Sequence, residues 1–260
     1  SPRGIAVNSA GTLAYVADNN GGVVKVINIA INSVTATVTV GSLPYNVVLN
    51  PAGTFAYVAN QGSNSVSVIN TSNNTLVGSI PVSAAPRAVV LNAAGTRAYA
   101  SGTSGNGVTV IDATNNTVIT TITGFSSPNG MAIAGNFLYV AQSIGSVAVV
   151  DLTNNTVVTN IVLGTLSGAS GVAANPAGTK VYVTNSVFNS VSVIDTSSNL
   201  VTATVTVGSQ PYGITVNSAG TFAYVANNIG SSVSVINLST NTVTATPSVL
   251  SGPIAIALGP

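Results

Sequence analysis

The sequence has no cysteine, no histidine and no glutamate. Without Cys there is no disulfide and no thiolate site, so cysteine usage does not fix a redox compartment. Without His, Cys and Glu, no Ser–His–Asp triad, Cys–His pair or Glu-based acid–base pair can be assembled. Charge is nearly absent too: five Lys plus Arg and four Asp make up 3% of 260 residues, where an ordinary domain carries about a quarter. A chain with no basic stripe has no electrostatic footprint for nucleic acid. Hydrophobic residues reach 46%, yet no apolar run approaches the roughly 18 residues that span a bilayer as a helix. There is no DxDxDG-type loop for calcium, so neither metal nor cofactor is expected.

What is present is one stretch copied six times. Pro44–Ala85 reads PYNVVLNPAGTFAYVANQGSNSVSVINTSNNTLVGSIPVSAA, and its copies start at Pro2, Pro44, Pro86, Pro128, Ala169 and Pro211. The spacing is 42 residues with one interval of 41, and a partial seventh copy starts at Pro253. Such a period marks units that bury their apolar faces by stacking on neighbours. With no linker or composition shift, one domain of six blades is expected: 2–43, 44–85, 86–127, 128–168, 169–210 and 211–252.

Each copy reads as four short strands. The first (GIAVN, YNVVLN, GITVN) is apolar at nearly every position, as a strand buried on both faces should be. A turn follows, with Gly11, Gly53, Gly95, Gly178 and Gly220 supplying positive φ. The second strand carries Tyr15, Tyr57, Tyr99, Tyr139, Tyr182 and Tyr224 at one position, read as packing between units. The third ends in Asn28, Asn70, Asp112, Asp151, Asp195 and Asn237. Asn alternates with Asp there, so the shared property is a short acceptor that caps a turn, with no need of ionisation. The fourth strand is VTATVTV at Val34–Val40 and Val201–Val207. Four strands per unit with no helix pattern predict an all-β propeller of four-stranded antiparallel blades.

With the strands placed, Tyr182–Asn185 spells YVTN, and YVAN at Tyr57–Asn60 and Tyr224–Asn227 and VIDT at Val193–Thr196 match its neighbours. The chain resembles the YVTN family of β-propeller repeats along its whole length. That resemblance implies the propeller of surface-layer and cell-surface proteins, a scaffold without shared catalytic residues. Propellers similar to streptogramin lyase, or to quinone-dependent dehydrogenases, would need the His and acidic residues this chain lacks.

The expected function is therefore a non-enzymatic, extracellular structural or adhesive module of a surface layer, matrix or filament. The VTATVTV edges carry no Lys, Glu or Pro guard, so self-association or contact with other surface proteins is expected. A start at Ser1 without Met fits a processed, exported product. The alternative is a lectin-like or protein-recognition propeller using the axial mouth. If the first strand is innermost, the residues after the leading position, Arg3, Tyr45, Arg87, Asn129, Ser170 and Tyr212, ring that mouth. Among them Arg3, Tyr45, Arg87 and Tyr212 form the candidate site for an anionic or carbohydrate ligand. The plainer reading is of exposed residues after a turn. Asn-x-Ser/Thr triplets at Asn70, Asn73, Asn115, Asn154 and Asn237 are acceptors for N-glycosylation in an archaeal or eukaryotic source, although the repeated NNT turn alone accounts for three of them. Pro253–Gly259 is one innermost strand beyond six blades. A six-bladed ring with a short tail is favoured; a seventh blade completed from elsewhere, or a strand lent to another subunit, are the alternatives.

Overall fold

The computed structural model describes residues 1–259. Among them are 24 strands and no helix. The first two blades are β1 (Pro2–Val7), β2 (Leu13–Asp18), β3 (Val23–Asn28) and β4 (Ser33–Thr39), then β5 (Pro44–Leu49), β6 (Phe55–Asn60), β7 (Ser65–Asn70) and β8 (Thr75–Pro81). Two more follow: β9 (Pro86–Leu91), β10 (Arg97–Gly102), β11 (Gly107–Asp112) and β12 (Thr117–Thr123), then β13 (Pro128–Ala134), β14 (Phe137–Gln142), β15 (Ser146–Asp151) and β16 (Thr156–Val162). The last are β17 (Ala169–Ala174), β18 (Lys180–Asn185), β19 (Ser190–Asp195) and β20 (Leu200–Thr206), then β21 (Pro211–Val216), β22 (Phe222–Asn227), β23 (Ser232–Asn237) and β24 (Thr242–Ala245). Each blade is one antiparallel sheet in sequence order, so the protein is an all-β, six-bladed propeller as the period predicts.

The chain groups into two compact units, blades one to three (Ser1–Gly124, with the last residues from Ala257) and blades four to six (Phe125–Ile256). Within each unit the first strands of successive blades pack against one another, while the fourth strands barely meet, which puts the first strands on the inner side. Apolar clusters fill the spaces between neighbouring blades. One joins Tyr15, Val24 and Val26 to Val47, Val58 and Ile69; another joins Tyr57, Val66 and Val68 to Val89, Ala98 and Ile111. In the second unit Tyr139, Val147 and Val149 meet Val181, Val183 and Ile194.

The repeated tyrosines do what their position suggests. Tyr15, Tyr57, Tyr99 and Tyr139 are buried, and the hydroxyls of Tyr57 and Tyr139 reach into the following blade's third turn. Tyr57 donates to the Ala113 carbonyl (3.2 Å) and Asn116 Oδ1 (3.3 Å); Tyr139 donates to Asn199 Oδ1 (2.9 Å). The same turn is closed by the residue ending the third strand. Asp112 Oδ1 accepts from Thr114 N and Oγ1, Asp151 from Thr153, Asp195 from Ser197, and Asn70 and Asn237 accept from Ser72 and Ser239 in the same way. The glycines of the first turn have φ of 66–68°. A further cap there has no counterpart in the expectations: Asn8, at the end of the first strand, accepts from Thr12 N and Leu13 N, and Asn92, Asn175 and Asn217 repeat the pattern.

Two features depart from the simple repeat. β24 stops after four residues, because Pro247 has no N–H for the ladder, and only a bridge from Ser232 to Ser248 continues the pairing. Pro253–Gly259 forms no regular strand. It lies beside β21 as a following first strand would: Gly213 N donates to Ile254 O (2.9 Å) and Asn228 Nδ2 to Pro253 O (3.4 Å). The second bond repeats the contact of Asn19 Nδ2 with Pro44 O (3.1 Å) between blades one and two.

Candidate functional site

The first strand of each blade begins with a register shift. On β5, Pro44 pairs with Asn60 and Asn46 with Ala59, leaving Tyr45 as the extra, unpaired residue. Arg87 is the extra residue between Pro86 and Ala88 on β9, and on β1 the shift spans Arg3 and Gly4. A bulge removes a residue from the ladder and re-aims its side chain. It is this local geometry, more than the strand pattern, that turns Arg3, Tyr45 and Arg87 out of the sheets.

Two contacts then bring the three together. A Cβ on Gly4 would lie 2.6 Å from Asn46 Cα, so β1 and β5 approach at a distance that only glycine permits. Asn46 Oδ1 accepts from Val89 N (3.0 Å), tying β5 to β9 next to Tyr45 and Arg87. The result is one aromatic ring with a guanidinium from each neighbouring blade. The guanidinium carbon of Arg3 lies 5.5 Å from the Tyr45 ring centre and that of Arg87 5.3 Å. At that range a ring attracts a cation through its quadrupole.

The electrostatics of this cluster are unbalanced. Nε of Arg3 and Nε of Arg87 are both buried and have no hydrogen-bond partner among the described residues. Neither arginine belongs to an ion pair among those residues. Asp18, paired with Pro2 across the blade, is engaged elsewhere, by the Ser1 amino group (2.7 Å) and Lys25 (3.5 Å); that hydrogen bond from the amino group is the main reason its carboxyl sits below the usual range. The other three carboxylates cap third-strand turns, and the hydroxyls of Thr114, Thr153 and Ser197 hold them below the usual range, Asp195 furthest because Lys180 also bonds it (3.0 Å). Burial pushes the phenols of Tyr15, Tyr57, Tyr139 and Tyr182 up. Among the described residues no group of three or more potential metal-binding side chains gathers.

Tyr212 lies in the second unit, on β21. Its carbonyl accepts from Thr184 Oγ1 (2.7 Å), which also accepts from Gly171 N (2.8 Å), so the Thr of the YVTN motif stitches β17 and β21 to β18. The motif's Asn185 is buried and donates to Ser190 and Ser192. Asn73, Asn115 and Asn154 are exposed in the third turns, each accepting from the Thr two residues on, whereas Asn70 and Asn237 are half-buried caps. In the first unit a separate groove of about 390 Å³ is lined by Ser63, Asn64, Ser65, Ser67 and Ser79 with Leu76 and Pro81, offering hydroxyls, one amide and aliphatic carbon.

A model of the family described as "Lactonase, 7-bladed beta-propeller" matches residues 1–134, just over half of the chain. The chain belongs to this lactonase propeller family. Its first-unit cluster falls wholly inside the matched stretch. A solved structure titled "Kuenenia stuttgartiensis Hydrazine Synthase" is 21% identical to this lactonase-family chain with a TM-score of 0.91, covering 100% of it and 90% of the solved chain; the likeness is one of fold. No curated protein matches the sequence.

The family corrects the expected function. The expected non-enzymatic structural or adhesive module is overturned by the match to the lactonase propeller family, whose name is that of an enzyme. The structural expectation rested on the near-neutral composition, the unguarded edges and the YVTN resemblance, and the expected absence of enzymatic activity on the missing His, Cys and Glu. Their absence rules out covalent catalysis by thiolates and acid–base work by imidazole. It leaves open electrostatic stabilisation by guanidinium donors, which needs none of them.

Proposed function

We propose that this chain is an enzyme of the lactonase kind, opening a cyclic ester with water at the Arg3–Tyr45–Arg87 cluster. The observation that supports it is a pair of guanidiniums on one tyrosine ring, with buried, unpartnered Nε donors and no carboxylate partner, inside the family-matched stretch. Donors fixed in place before the reaction are what a developing oxyanion requires.

In the step envisaged, the water oxygen bonds to the carbonyl carbon and the carbonyl electron pair moves onto its oxygen. Arg3 and Arg87 donate to that oxygen as its charge grows. Collapse expels the ring oxygen, which takes up the water proton, and the product is a hydroxy acid that ionises at neutral pH. Tyr45 holds both cations by its ring face and limits how far each can turn. In this reading the YVTN-like strands are scaffold, and the bulged residues, where the copies differ, carry the chemistry.

The test is a pH-stat assay of five- and six-membered lactones. Arg3→Met and Arg87→Met should each lower kcat/KM by about 100-fold or more, the cost of removing one oxyanion donor, with the β circular dichroism spectrum retained. Hydrolysis no faster than in buffer, or rates in both variants equal to that of the unaltered chain, overturns the proposal.

A further inference from the structure

The same pair of arginines carries an inference about what the site holds once the ring is open. A neutral lactone offers the two guanidiniums only a carbonyl dipole. The ring-opened hydroxy acid offers a full negative charge on two oxygens, the geometry a guanidinium binds best. Arg3 and Arg87 meet no carboxylate among the described residues, and each keeps a buried Nε–H without an acceptor there. Both guanidiniums lie against the Tyr45 ring, 5.5 and 5.3 Å from its centre, so two positive charges gather at one ring with no carboxylate among the described residues to balance them.

Resting on the lactonase reading for the identity of the product, we propose that Arg3 and Arg87 form a carboxylate site that retains the hydroxy acid and makes the enzyme product-inhibited. The ligand class is a small monocarboxylate. The site lies at the bulges of β1 and β9, is drawn together by the close approach of Gly4 to Asn46, and is braced by the bond from Val89 N to Asn46 Oδ1. Charge-assisted bonds are roughly twice as strong as neutral ones, so the hydroxy acid should bind about tenfold tighter than its parent lactone, and the advantage should shrink as salt is added.

The chain contains three arginines, Arg3, Arg87 and Arg97, so its arginine Nε–H region in a ¹H–¹⁵N spectrum holds three side-chain signals. Titration of the intact protein with 4-hydroxybutyrate should shift the Arg3 and Arg87 signals saturably and leave Arg97, which is remote in the repeat, unmoved. The neutral diol 1,4-butanediol, which has the same carbon chain but no carboxylate, should move none of them. In the pH-stat assay with γ-butyrolactone, 4-hydroxybutyrate should inhibit competitively with a constant about tenfold below KM. If lactone is hydrolysed but 4-hydroxybutyrate neither shifts Arg3 and Arg87 nor inhibits, the retention proposal is overturned and the hydrolase stands. If 4-hydroxybutyrate shifts both signals while no lactone is hydrolysed, the carboxylate site is supported and the hydrolase reading fails.

Discussion

The two units are built from the same repeat and differ at the positions the repeat leaves free. At the bulges of the first strands, blades one to three carry Arg3, Tyr45 and Arg87, whereas blades four to six carry Asn129, Ser170 and Tyr212. Four of the five cations fall in the first unit, and two of them are the unpaired pair on Tyr45. In the second unit the corresponding positions are engaged structurally: Ser170 is buried with its carbonyl against Gly130, and the Tyr212 carbonyl is bonded by Thr184. At these bulge positions the first unit holds charged donors without partners among the described residues, and the second holds Ser170 and Tyr212 tied to neighbouring backbone.

The sharpest way to break this comparison is to exchange charge for shape. Beside the loss of about 100-fold or more on Arg3→Met or Arg87→Met, Tyr212→Phe in the second unit should leave kcat/KM within about twofold; equal losses in both units would erase the distinction. Next come the glycines that let first strands touch. Gly4→Ala places a Cβ 2.6 Å from Asn46 Cα, and Gly171→Ala places one 2.2 Å from the Tyr212 carbonyl oxygen. Each should cost about 1–3 kcal/mol in urea unfolding through forced displacement of backbone. Only Gly4→Ala should lower kcat/KM beyond what the loss of folded protein explains.

Smaller effects should fall on both units alike. Tyr57→Phe and Tyr139→Phe each remove a hydroxyl that reaches the next blade, a loss of about 1 kcal/mol in either unit by chemical denaturation. The acid response is smaller still per residue. Asp112, Asp151 and Asp195 have carboxyls held low in the folded state by neighbouring hydroxyls. Their contribution is present above the unfolded value of about 4 and is lost as pH falls below it through the folded values. Replacing all three by Asn, which already fills the position in blades one, two and six, should keep the caps and flatten the fall in Tm between about pH 4.5 and 2. A slope equal to that of the unaltered chain would mean that these caps are not what acid disturbs.

Much of the fold was legible in the repeat. The period gave the blades, the positive-φ glycines gave the first turns, and the Asn/Asp alternation gave the third-turn caps, because each is a local property that recurs in register. The candidate ring was legible only as a set of positions. Nothing in the spacing of Arg3, Tyr45 and Arg87 announces a bulge, since a bulge is a mismatch between two strands and neither strand alone encodes it. The unspent Nε donors likewise depend on which carboxylates lie elsewhere. Function was misjudged because the composition, dominated by six copies of a Thr-, Val- and Asn-rich scaffold, describes the frame and not the few residues set into it. Pro253–Gly259 read as a strand from its pattern, but a strand needs a partner ladder as well as alternation, and here the segment has one backbone bond to Gly213.

The third-turn cap makes the molecule's charge adjustable without moving an atom of its backbone. Asp and Asn accept the same two bonds there, at Asp112 and Asn70 alike. A lineage, or a designer, can therefore set net charge by choosing one letter per blade, with Asn28, Asn70 and Asn237 still free to become acidic. Solubility and long-range attraction or repulsion of an anionic ligand would then be tuned on the outside of each blade, well apart in sequence from the arginines that would bind it.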